Sequence, residues 1–106
     1  MAIIGIFTPA KDGGWTGTIR TFGIDARCRF VPNDNQGSEN APVFRVMLGQ
    51  AHLGDVWAAR SRSDPPRDYF RVRLDDPFFR EPIVAAFFPN DIGDRGELLW
   101  ARQGGR

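Results

Sequence analysis

The sequence predicts an all-β fold: one small domain whose strongly twisted antiparallel sheet closes into a barrel or a small sandwich. Three observations carry that expectation. Short apolar segments recur along the chain with turn residues between them. Two of these segments, 24–31 and 69–75, alternate apolar and charged residues at period two, the mark of strands with one buried and one wet face. Aromatic residues are plentiful, with nine Phe, three Trp and one Tyr in 106 residues, and they suit pleated, half-buried surfaces. Closure, or cover by a second sheet, is needed to protect edge strands and bury those rings. The length fits one domain, spanning 1–102, with a disordered tail at 103–106.

The elements follow in order. Residues 3–8 open as a strand and lead into Asp12-Gly13-Gly14, good chemistry for a tight hairpin turn. Residues 15–22 return, Gly23 permits another turn, and 24–31 completes an antiparallel meander. Residues 32–41 lack apolar periodicity and read as a mobile surface loop. A strand resumes at 43–48, with Phe44, Val46 and Leu48 on one side. Residues 51–62 fit a helical turn through Leu53, Val56, Trp57 and Arg60, but Gly54 weakens such a helix, so a strand is expected at 55–61. Asp64-Pro65-Pro66 makes a turn before the alternating strand 69–75. Pro77 and Pro82 bracket a bend, and 83–88 with 97–101 form a closing hairpin around the polar loop 90–96.

Charge limits the function. The formal net charge is +1, far from the basic balance of a typical duplex-binding domain, so nucleic-acid binding must come from a local patch. All but one of the fourteen basic residues are arginine, whose planar fork suits phosphate, carboxylate and aromatic partners. The lone cysteine, Cys28, excludes an intrachain disulfide and a thiolate metal cluster, and its place on an apolar face predicts a buried, inert thiol. The start of the chain lacks the pattern of a signal peptide, and the longest apolar run is too short to cross a bilayer. A cytoplasmic protein with no membrane partner is expected.

Several segments resemble a known family. They are Ile4-Gly5-Ile6-Phe7-Thr8-Pro9, residues 11–20 (Lys-Asp-Gly-Gly-Trp-Thr-Gly-Thr-Ile-Arg), Phe30-Val31-Pro32-Asn33-Asp34, Asn40-Ala41-Pro42-Val43-Phe44-Arg45 and residues 68–77. In their order and their spread over almost the whole chain, they resemble the bacterial domain-of-unknown-function family numbered 736. The resemblance implies an accessory protein of plasmids and integrative conjugative elements of proteobacteria, and it supplies no catalytic residues.

Catalysis finds little support. His52 is the only histidine, with no nearby nucleophile in sequence, and Asp75-Asp76 point to opposite faces of a strand and cannot share a proton. Asp91, Asp94 and Glu97 with Asn90 offer oxygen ligands in one loop, but their spacing departs from the EF-hand pattern and fits an ordinary Asp/Gly-rich hairpin loop. No metal or other cofactor is implied, and the chain is expected not to be an enzyme.

The outward arginines remain. If strands 15–22, 24–31, 43–48 and 69–75 are neighbours, Arg20, Arg27, Arg29, Arg45, Arg71 and Arg73 share a face with Thr16, Thr18 and Tyr69. Guanidiniums would hold phosphates of a single-stranded nucleic acid while Tyr69 stacks on a base. Engaging about four phosphates gives a log–log salt slope near −3. A solvated face paired with acids such as Asp25 and Asp68 explains the same pattern. The alternative function is a protein-binding module, such as an inhibitor of a host defence complex (anti-CRISPR or anti-restriction type) or a conjugation adaptor. It would add an edge strand to a partner or present Trp57 and Phe79 as anchors. The acidic stretch 75–97 would then mimic nucleic-acid charge.

Overall fold

Alternating apolar and polar residues draw this chain into eight strands, each with one face turned inward. The computed structural model describes residues 2–34, 37 and 40–102. The strands are β1 (Ala2–Pro9), β2 (Trp15–Arg20), β3 (Asp25–Pro32), β4 (Phe44–Leu48), β5 (Ala51–Arg60), β6 (Asp68–Leu74), β7 (Ile83–Pro89) and β8 (Gly96–Trp100). Each pairs with the next, and β8 returns to pair antiparallel with β1, so the sheet is a closed barrel. Of the two expected closures, the barrel is the one adopted. Register shifts at Ile3/Gly5 and Val46/Met47 supply local twist of the kind that helps a sheet curl.

Closure leaves no free sheet edge. Adding a strand to a partner, one of the expected routes to protein binding, therefore has no template here. An eight-stranded barrel is just narrow enough for side chains to fill it. Phe7, Phe30 and Phe87, all fully buried, meet at the centre. The Phe7 and Phe30 rings stack at 4.5 Å, while Phe87 meets them edge-on at 5.6 and 5.2 Å and Trp15 at 5.0 Å. Glycine makes room for these rings. Phe7 lies opposite Gly17 on one side and Gly96 on the other, and a Cβ at Gly17 would sit 2.6 Å from Phe7 Cγ.

The residues at 51–62 form a strand that starts earlier than expected, at Ala51. Its hairpin with β4 turns at Gly49, whose φ of +60° lies in the region that glycine adopts most easily. Further along, Asn33 pins the β3–β4 connection. Its amide donates to Pro42 O at 2.8 Å, and its carbonyl accepts from Arg45 Nη2 at 3.0 Å. Residues 35, 36, 38 and 39 of the mobile loop expected at 32–41, and the tail expected at 103–106, fall outside the described residues.

The two ends of the barrel differ. The end that carries the β2–β3, β4–β5 and β6–β7 connections exposes Phe22, Leu48 and Phe78. A mainly apolar cleft lined by Ile3, Ile4, Ile24, Ile83 and Trp100, together with Arg20 and Thr21, lies at the same end. The expected anchor Phe79 instead packs against the core, and its neighbour Phe78 is the exposed ring. At the opposite end, the only large exposed apolar side chain among the described residues is Ile92.

Candidate functional site

Strand β6 reads Tyr69, Phe70, Arg71, Val72, Arg73, Leu74, and its buried Val72 and Leu74 fix Tyr69, Arg71 and Arg73 on the outside. Its neighbours decide what those side chains meet. On β5, Trp57 lies opposite Arg71, and the guanidinium stands 5.8 Å from the indole centroid. The indole N–H donates to Asn40 O at 2.9 Å, which tethers Trp57 to the β3–β4 loop. On β7, Phe88 stacks on Tyr69 with centroids 5.2 Å apart and planes 18° from parallel. Arg67, just before β6, places its guanidinium 4.7 Å from the Phe88 centroid. Three aromatic rings and two guanidiniums, those of Arg67 and Arg71, therefore interleave across three adjacent strands, and Arg73 follows Arg71 outward on β6.

A furrow runs beside this layer. Ala86 lies opposite both Arg71 and Leu99, and its small side chain leaves a groove walled by Tyr69, Arg71 and Leu99. At Leu99 the groove adjoins a second cleft, lined by Arg67, Phe88, Asn90, Arg95 and Glu97. Arg71, Arg67 and Arg95 thus stand along the two, with Glu97 as the one acid in the lining. Arg67 and Arg71 have no acidic partner among the described residues, while Arg73–Asp75 and Arg95–Glu97 are loose, exposed pairs at 3.8 Å. Pairs of that kind contribute roughly 0–1 kcal/mol and yield readily to a phosphate.

The seven arginine and tyrosine positions anticipated for one face do not form one face. Strand β5 separates β4 from β6 and sets Asp55 between Arg45 and Arg73 in the outward row. Arg45 is engaged by Asn33. Arg20 pairs with Asp25 at 3.3 Å near the apolar end. Tyr69, Arg71 and Arg73 lie together in the furrow layer, whereas Arg27 and Arg29 lie on β3, three strands away. The other anticipated acid, Asp68, pairs with Arg60 at 2.9 Å. Sequence reasoning missed Arg67 and Phe88, and it placed Trp57 only as a protein anchor. Phe88 was hidden because β7 is apolar on both faces, so its alternation is silent.

Other chemistry-bearing residues are committed locally. His52 Nε2 lies 2.9 Å from both Asp55 Oδ1 and Gly54 O. Burial pushes the Cys28 thiol up from 9.0 to about 11, so thiolate is scarce at neutral pH. In the β7–β8 loop, Asp94 Oδ1 accepts from Asn90 Nδ2 at 2.6 Å, and among the described residues no group of three or more His, Cys, Asp or Glu is placed to hold a metal. Asp12 Oδ1 accepts from the Gly14 N–H at 2.9 Å, and Gly13 has φ +92°, so this segment is the expected turn. Among the described residues, no helix is long and apolar enough to cross a membrane.

The molecule is a filled, eight-stranded antiparallel barrel with an aromatic–guanidinium layer on its outer wall. Residues 3–103 match the family described as "Protein of unknown function (DUF736)", and the chain belongs to that family. Neither a curated protein nor a solved structure matches the chain.

Proposed function

We propose that this protein is a non-enzymatic, single-stranded nucleic-acid-binding accessory of a mobile genetic element, acting in the cytoplasm through the furrow on β6, β7 and β8. The observation that carries the reading is the interleaving of Trp57, Tyr69 and Phe88 with Arg67 and Arg71, with Arg73 next in the outward row of β6. Single-stranded binders combine stacking platforms with a cationic track in this way. Rings on a rigid barrel wall lose little freedom when a base stacks on them, and the flanking guanidiniums reach phosphates. The mobile-element setting rests on the resemblance of the chain to plasmid and conjugative-element proteins.

Fluorescence polarisation with a labelled single-stranded oligonucleotide tests the reading. Stacking is worth about 1–3 kcal/mol per base, so Tyr69→Ala is expected to weaken binding by roughly fivefold to over a hundredfold. With three to four phosphates engaged, the log–log salt slope should lie between about −2 and −3. Wild-type protein that binds no oligonucleotide at low salt would sink the proposal.

A second reading is favoured by the apolar barrel end. Exposed Phe22, Leu48 and Phe78 beside an apolar cleft are the kind of surface that marks protein contact. A partner there would suit a host-defence inhibitor or a conjugation adaptor. Because this surface and the furrow lie apart, Phe22→Ser with Phe78→Ser should release such a partner while oligonucleotide binding is unchanged.

A further inference from the structure

We propose that the outward face of β2 and β3 is a second nucleic-acid surface, one that grips the phosphate backbone without reading bases, so that one barrel holds two segments of nucleic acid at once. This inference rests on the reading of the furrow as a single-strand site.

The residues on the two surfaces differ in kind. On β2 and β3, Thr16 lies directly opposite Arg29 and Thr18 directly opposite Arg27, and Thr8 of β1 extends the first row. Hydroxyls and guanidiniums are both donors for phosphate oxygens, and the outward positions of these two strands bear no aromatic ring. Arg27 and Arg29 are exposed and have no acidic partner among the described residues. They stand two residues apart on one strand, a step of roughly 6–7 Å. That repeat is comparable to the step between successive phosphates of an extended strand.

The surfaces are also insulated from each other. In one direction around the barrel, β4 and β5 intervene, carrying Arg45, which donates to Asn33, and the Asp55–His52 pair. Three inter-strand steps put β3 about 14 Å from β6 along the wall, and the curvature of a closed barrel turns the two faces apart. In the other direction stand Glu97 of β8 and the exposed Ile3 and Ile6 of β1. A short segment lying in the furrow cannot line the Thr–Arg face as well. A second segment, or a distant part of the same one, must do so.

The test uses the full chain and two separate 12-nucleotide oligodeoxythymidines, one labelled with an energy donor and one with an acceptor. Polarisation reports binding of either alone, energy transfer reports two held together, and sedimentation velocity reports the number of protein chains in the complex. Wild type is expected to give energy transfer in a complex containing one protein chain. Arg27→Ala with Arg29→Ala should abolish the transfer and change the furrow affinity, read by polarisation, less than twofold. Tyr69→Ala should instead weaken that affinity at least fivefold. Polarisation without transfer in wild type, transfer only with two protein chains, or transfer that survives the double arginine variant each overturns the inference and leaves the furrow reading standing. An affinity loss in the double arginine variant equal to that of Tyr69→Ala also overturns it, by making the site a single one. No binding of either oligonucleotide overturns both.

Discussion

Strands β3 and β6 carry nearly the same phrase, Arg27-Cys28-Arg29 and Arg71-Val72-Arg73, yet they build different surfaces. Both bury the middle residue and expose the two arginines. The difference comes from the flanking strands. Beside β3, β2 offers threonines; beside β6, β5 offers Trp57 and β7 offers Phe88. A guanidinium next to a hydroxyl is a phosphate clamp, whereas a guanidinium over an indole is part of a stacking layer. What an outward arginine can do is therefore a property of cross-strand register as much as of its own strand.

The harshest break removes what the two regions share. Phe87 touches Phe7, Phe30 and Trp15 at the barrel centre. Phe87→Ala is expected to cost about 3–5 kcal/mol in urea unfolding, and both faces should fail together. Trp57→Ala with Arg71→Ala separates them. Single-strand affinity should fall by about 2–3 kcal/mol by polarisation, with the midpoint of unfolding little moved.

The inward residues of the two phrases differ in a way that pH reveals. The Cys28 thiol ionises near 9.0 when unfolded but near 11 in the barrel, so the unfolded chain loses its proton first. Folding stability is then full below pH 9 and falls as pH climbs toward 11, by a total of roughly 3 kcal/mol. Cys28→Val places on β3 the residue that β6 has at Val72, and this component of the pH dependence should vanish from denaturant titrations. The mildest change blurs the boundary between the faces. Asp55→Asn removes the carboxylate between Arg45 and Arg73 and should tighten single-strand binding by a few-fold, with a slightly steeper salt slope.

The inward and outward assignments of β3 and β6 were legible from the sequence because a half-buried strand declares its faces at period two. The neighbours were not. In β5, Gly54, Ala58 and Ala59 dilute the alternation, so nothing in the chain announces that Trp57 stands across from Arg71. In β7, the unbroken apolar run hides which ring faces out. Gly17 falls in the expected strand 15–22 and Gly96 in the expected loop 90–96, and neither announces that it seats a phenylalanine ring within the barrel wall. Closure was anticipated from the need to bury aromatics, while the choice of barrel over sandwich depended on the pairing of Ala2 with Trp100, near opposite ends of the sequence.

That last pairing has a consequence for how the protein is made. The first strand of the barrel finds its second partner in the eighth, so the ring cannot be completed until Trp100 has been synthesised. Until then β1 has only β2 to pair with, and the Phe87 ring lacks the seat that Gly96 of β8 gives it in the core. Completion of the core therefore waits for the eighth strand, and any sheet formed before it has an open edge that the closed barrel does not show.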